Sequence, residues 1–125
     1  MKLPDITRRI TRPVRVGSVA LGGVSESGTP NPVVIQSMTN TQTADADATL
    51  SQIRALADAG AELVRVATPT PQDTAALKKI VAGSPVPIIA DVHFHFQRAL
   101  EAIQAGVAKI RLNPGKLPTN GACAN

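Results

Sequence analysis

The sequence predicts an α/β protein of parallel strands covered by helices: the N-terminal half of a TIM-type (β/α)8 barrel, preceded by a short β-hairpin. Three observations predict it. Short apolar runs alternate with segments of helical period between residues 33 and 113. Aromatic residues make up only 2% of the chain, with no Trp or Tyr, so the core must be built from Val, Ile, Leu and Ala. That composition suits strands buried on both faces. Finally, polar and charged groups gather at the ends of the apolar runs, where parallel α/β proteins bind ligands.

Residues 1–12 form a polar, basic leader. Residues 13–24, "PVRVGSVALGGV", alternate loosely around Gly17 and suggest the hairpin; "SESGTPNP" is turn chemistry and closes that unit at residue 32. The first strand is Val33–Met38. Thr, Asn and Asp residues then offer helix caps, and Leu50, Ile53, Leu56 and Ala57 fall on one helical face. Gly60 stops that helix, since glycine adopts the left-handed conformation without a Cβ clash. Glu62–Ala67 is the second strand, and a helix over about Asp73–Ala82 ends at Gly83, Ser84 and Pro85. "VPIIADV" is the third strand. A third helix, near Phe96–Ala105, turns Ala99, Leu100 and Ile103 inward and stops at Gly106. Ala108–Asn113 is the fourth strand. Residues 33–115 thus make a partial barrel, with a tail at 116–125.

Such alternation gives right-handed crossovers and a parallel sheet, either doubly wound or a barrel. No glycine-rich phosphate loop follows the first strand, which lowers the dinucleotide-binding version. A barrel takes roughly 250 residues. With 125 residues and a last strand that no helix follows, the chain reads as cut off partway through a barrel.

The formal net charge is +4, and Lys2, Arg8, Arg9, Arg12 and Arg15 face only Asp5 at the front. A nucleic-acid arm would need aromatic residues to stack on bases, and none interleave here. An anionic small molecule suits the charge equally. Cys123 is the single cysteine, so no disulfide or Cys-pair metal site can form within the chain. No apolar run reaches the ~18 residues of a membrane span. We expect a cytoplasmic protein with no membrane or nucleic-acid partner.

The candidate site residues come from the strand ends. Gln36 and Ser37 end the first strand, with Asn40 just beyond. Arg65 lies in the second, Asp91 and His93 end the third, and Arg111 and Asn113 end the fourth. A buried arginine is costly unless paired. Arg65 and Arg111 therefore pair with Asp91 or clamp a phosphate, whose oxygens match guanidinium donors bidentately. Lys116 lies near them in sequence and adds to the pull on an anion. His93 is either a structural histidine or a phosphate donor and general acid. His95, where the chain turns into a helix, reads as a surface or capping residue. Asp91, His93 and His95 have the ligand types for a metal, but no further ligands accompany them, and no metal site is expected in this chain.

The motifs QSMTNT, VRV, ADVHF and RLNPG occur in that order within "VVIQSMTNTQTADADATLSQIRALADAGAELVRVATPT" and "PVPIIADVHFHFQRALEAIQAGVAKIRLNPG". Together with the leader "RRITRPVRVGSVALGG", they resemble the 4-hydroxy-3-methylbut-2-enyl diphosphate synthase family over residues 8 to 115. The resemblance implies an oxidoreductase of isoprenoid biosynthesis in the methylerythritol phosphate route. It would open 2-C-methyl-D-erythritol 2,4-cyclodiphosphate reductively with electrons from a [4Fe–4S] cluster, fed by a flavodoxin- or ferredoxin-type donor protein. It also implies a homodimer in which a C-terminal cluster domain, with three cysteines and a glutamate as ligands, covers the partner's barrel. Carried onto this sequence, Arg65, His93, Arg111 and Asn113 contact the diphosphate or the substrate hydroxyls, and Gln36 and Ser37 sit in the same mouth. His93 is the catalytic candidate among them.

The sequence departs from the family at "NPGK" (Asn113–Lys116), where the family has NPGN, and in the tail "LPTNGACAN". With one cysteine the chain does not hold the cluster as the family does. It reads as an N-terminal fragment, inactive alone, without the C-terminal iron–sulfur domain. Two other readings stay open: a phosphate-binding barrel enzyme that needs no cluster, and a half barrel that assembles through its open edges.

Overall fold

The computed structural model describes residues 9–116. Lys2, Asp5, Arg8, Cys123 and the Lys116 side chain, all named above, lie outside the described set. In chain order the elements are β1 (Val14–Val16), β2 (Val19–Leu21), β3 (Gln36–Met38), α1 (Ala46–Asp58), β4 (Leu63–Thr68), α2 (Pro71–Gly83), β5 (Ile88–Val92), α3 (Gln97–Ala105) and β6 (Lys109–Leu112), followed by a 3₁₀ turn at Pro114–Lys116. Strands β3 to β6 form one parallel sheet in sequence order, and β1 and β2 form a separate antiparallel pair. The expected alternation and the preceding hairpin are both present. The sheet is open: among the described residues the barrel is not closed.

Each helix begins for a local chemical reason. Asp45 caps α1 by accepting a bond from Ala48 N, 3.1 Å away. Thr70 and Asp73 form a reciprocal capping box at the start of α2, with Pro71 at the first helical position, where its missing N–H costs nothing. Gly106 ends α3 in the left-handed conformation, at φ 93°. Gly83, expected as a stop, is instead the last residue of α2, and Ser84 is its cap.

Alternation along the strands divides the sheet into two faces. Val64, Val66, Ile88 and Ala90 face the helices and pack with Leu50, Ile53, Leu77, Ile80 and Ala102 in the main core. Leu63, Arg65 and Ala67 of β4, with Ile89 and Asp91 of β5, point to the opposite face. Leu63 and Ile89, near the strand starts, meet Val16 in a second apolar cluster. The hairpin therefore plugs the N-terminal end of this face, and the C-terminal end is left for polar groups. The hairpin turn brings position 17 so close that a Cβ there would stand 2.9 Å from Pro87 Cγ, and Gly17 takes φ 60°. A positive φ at the first of two loop residues is the pattern of a type II′ turn.

Two expectations are corrected. The first sheet strand is shorter than Val33–Met38: it begins at Gln36, with Val33 93% and Ile35 57% exposed. As the edge of the sheet it has a neighbour on one side only, and Pro32 precedes it. In α3, Ala102 is the buried residue, while Leu100 and Ile103 are 53% and 59% exposed. These two side chains lie on a flank of α3 that no other element of the described residues covers.

Candidate functional site at the carboxyl ends of the strands

The site is organised around Asp91, whose side chain is only 3% exposed. Asp91 is in register with Ala67 on β4 and Arg111 on β6. Arg111 Nη1 donates to Asp91 Oδ1 at 3.0 Å. The other carboxylate oxygen, Oδ2, lies 3.5 Å from Arg65 Nε and 3.7 Å from His93 Nε2. Arg65 rises from two residues lower on β4, level with Ile89. Its Nη2 donates to Met38 Sδ at 3.2 Å, while its Nε is shut away from solvent with no hydrogen-bond partner. The contact of Nε with Asp91 is thus an ion pair without a hydrogen bond.

A buried carboxylate is tolerated only when charge and hydrogen bonds compensate its lost hydration. Here two guanidinium groups do so, and one carboxylate against two of them leaves the cluster positive. Arg111 keeps 42% of its side chain exposed, so it retains donors for an incoming anion. Both weighed roles of the arginines, pairing with Asp91 and reaching outward, are open to the same side chains.

Directly after His93 the chain makes an unusual turn. Phe94 has φ 65°, the one non-glycine residue with positive φ among those described. His95 N donates to His93 O at 2.7 Å across it, a γ-turn. A bulky residue in this region is strained by ~1–3 kcal/mol. The turn ends β5 abruptly, with the His93 ring beside Asp91 and the Phe94 ring 52% exposed, its centroid 6.0 Å from that of His93.

The other expected residues are placed as follows. Asn113, expected as the end of the fourth strand, lies just beyond β6, which stops at Leu112, and its Oδ1 accepts from Gly115 N at 3.1 Å. Gln36 shares the face of Arg65 but is in register with Leu63, nearer the plugged end than Asp91. Ser37 takes the alternate position, in register with Val64, and so belongs to the helix-facing side instead of the mouth. Asn40 exchanges two bonds with the α1 residue Gln52, at 2.8 and 2.6 Å, and caps nothing. His95 is exposed, and α3 has no side-chain cap. Met38 enters the sequence pattern only as the end of the first strand, not as a site residue, and the Phe94 turn leaves no mark there. Period-two alternation from Gln36 could have found Met38; nothing in the sequence signals the turn.

A cavity of about 410 Å³ lies beside the cluster, between the β3–α1 and β4–α2 loops. Some of its polar groups are already committed: Thr43 Oγ1 donates to Ala67 O, and Asp73 accepts from Ala44 N and Thr70 N. Its lining contains no cation. The capacity to receive an anion therefore rests with Arg65 and Arg111. Among the described residues no group of three or more His, Cys, Asp or Glu side chains could hold a metal ion. With one cysteine in the sequence, the residues of this chain do not fit a [4Fe–4S] cluster.

A parallel α/β segment with a plugged N-terminal end and a cationic cluster at its strand ends has the layout of a TIM-barrel segment. The family model described as the GcpE TIM-barrel domain matches residues 11–124, and the chain belongs to that family. It is 51% identical over 113 residues to the 4-hydroxy-3-methylbut-2-en-1-yl diphosphate synthase (flavodoxin) of Rhodospirillum rubrum, covering 90% of this chain and 28% of that protein. The synthase of the same name from Caulobacter vibrioides is 53% identical, again over 90% and 28%. That of Persephonella marina is 52% identical over 93% and 31%. The chain thus spans under a third of the length of these curated relatives. Among solved structures, the carboxyl transferase domain of Rhizobium etli pyruvate carboxylase aligns with a TM-score of 0.53 at 15% identity, over 70% of this chain and 18% of that one. That likeness concerns the fold alone. No described helix is long and apolar enough to cross a membrane.

Proposed function

We propose that this chain supplies the diphosphate-binding part of an enzyme converting 2-C-methyl-D-erythritol 2,4-cyclodiphosphate to 4-hydroxy-3-methylbut-2-enyl diphosphate. The observation that carries the reading is the convergence of Arg65 and Arg111 on the buried Asp91 at the open end of the sheet. Family membership and the relatives' names, which print a diphosphate, support a diphosphate as the anion.

In this reading Arg111 and Arg65 bind the diphosphate oxygens, with Asp91 fixing their directions. His93, held beside Asp91 by the turn at Phe94, donates a proton or hydrogen bond to the ligand. Asn113 reaches a substrate hydroxyl, and Gln36 lines the deeper part of the same face. The reduction itself needs electrons that these residues do not carry. In the whole enzyme a [4Fe–4S] cluster held outside this chain's residues would supply them, fed by a flavodoxin-type donor as in the relatives' names. A homodimer and a cytoplasmic setting belong to the same proposal.

The test is a graft. The matched segment of this chain replaces its counterpart in the Rhodospirillum rubrum enzyme, and turnover of the cyclic diphosphate is measured with a reduced flavodoxin. The graft should retain turnover, and Arg111→Ala within it should lower kcat/KM by at least about tenfold, the order of a lost charged contact. A correctly folded graft with no turnover would contradict the proposal.

A further inference from the structure

We propose that Met38 is a positioning residue that aims the Arg65 guanidinium at the bound anion; this rests on the diphosphate-binding reading above. Met38 and Arg65 are cross-strand partners in register on β3 and β4. Met38 Sδ accepts from Arg65 Nη2 at 3.2 Å. Arg65 needs such a partner, because Asp91 does not hold it by a hydrogen bond: Nε lies 3.5 Å from Oδ2 and is unpartnered, while Oδ1 is bonded to Arg111. An ion pair without hydrogen bonds fixes distance but not the plane of a guanidinium. The thioether supplies the second point that sets the plane.

The chemistry of sulfur suits this task. A thioether is a weak, uncharged acceptor. It orients the donor without neutralising it, and a phosphate oxygen competes with it easily. A carboxylate in the same place would cancel the charge the anion needs. The location also explains why a methionine on an edge strand stays 38% exposed: its sulfur is engaged with Arg65 instead of the core.

Two substitutions separate this role from simple packing. Met38→Leu keeps volume and apolarity but removes the acceptor. Met38→Gln keeps the length and offers an amide oxygen. A packing role predicts that leucine is tolerated and glutamine is not; a positioning role predicts the reverse. The 125-residue chain is titrated calorimetrically with 2-C-methyl-D-erythritol 2,4-cyclodiphosphate, together with Met38→Leu, Met38→Gln, Arg65→Ala and the Met38→Leu/Arg65→Ala double variant. Met38→Leu should weaken binding about threefold to tenfold, the range of one hydrogen bond, and Met38→Gln should stay within about twofold of the parent. In the Arg65→Ala background Met38→Leu should add nothing, because its effect passes through Arg65.

A second readout needs no ligand. The Arg65 Nε–H resonance should report one ordered conformation in the parent and in Met38→Gln, and an averaged one in Met38→Leu. An ordered Arg65 in Met38→Leu, or a loss of affinity that persists without Arg65, overturns the proposal. If even the parent fails to bind the cyclic diphosphate, the substrate assignment fails, and the Arg65 resonance alone decides the positioning role.

Discussion

Asp91 shows how a single residue converts a strand into a site. Its neighbours on β5 are all buried, and a lone carboxylate among them would lose its hydration uncompensated. Two arginines and a histidine, each from a strand or its end, prevent that. These partners were legible in the sequence, because a charge inside an apolar run must find compensation. The turn after His93 was not legible. Nothing in "DVHFHF" marks Phe94 for a positive φ, which runs against the local preference of a bulky residue. It makes a sharp prediction. At an ordinary loop position Phe94→Ala should exceed Phe94→Gly in stability, because glycine has more freedom to lose. Here the order should invert, with Phe94→Gly the more stable by about 1 kcal/mol. Urea denaturation of both variants checks this, and the ordinary order would mean that Phe94 is not left-handed.

Among the elements, the hairpin has the clearest task. It carries Val16 onto Leu63 and Ile89, sealing the end of the sheet away from the cationic cluster. Its turn depends on Gly17, which combines φ 60° with a close approach to Pro87. Gly17→Ala should therefore destabilise the chain by about 1–3 kcal/mol, through a strained φ and a clash together. A thermal midpoint equal to the parent's would show that the hairpin does not dock as described. The sequence revealed this hairpin by its alternation around a glycine, but not where it packs. The same limit applies to α3. Helical period placed Leu100 and Ile103 on a common face, yet periodicity cannot say which neighbour that face meets. In β3 the apolar run suggested six strand residues, whereas an edge position leaves Val33 and Ile35 exposed.

For the whole molecule, the alternation of apolar runs and helical segments was enough to predict a parallel sheet, and the sequential order β3–β4–β5–β6 is that of the barrel and not of a doubly wound sheet. Closure was not legible, and among the described residues the sheet stays open at its β3 and β6 edges. Exposed apolar side chains mark those edges: Ile35 and Met38 on the β3 side, and Leu100, Ile103 and Leu112 on the β6 side. The cationic cluster spans β4, β5 and the edge strand β6, so this chain alone assembles these charges. Calorimetric titration of the chain with 2-C-methyl-D-erythritol 2,4-cyclodiphosphate tests whether these charges bind the anion. Binding should weaken as salt rises, as expected for exposed charges. Arg65→Ala and Arg111→Ala should each reduce affinity by about tenfold or more, as for a charged hydrogen bond. Affinity that neither salt nor either substitution changes would contradict the account.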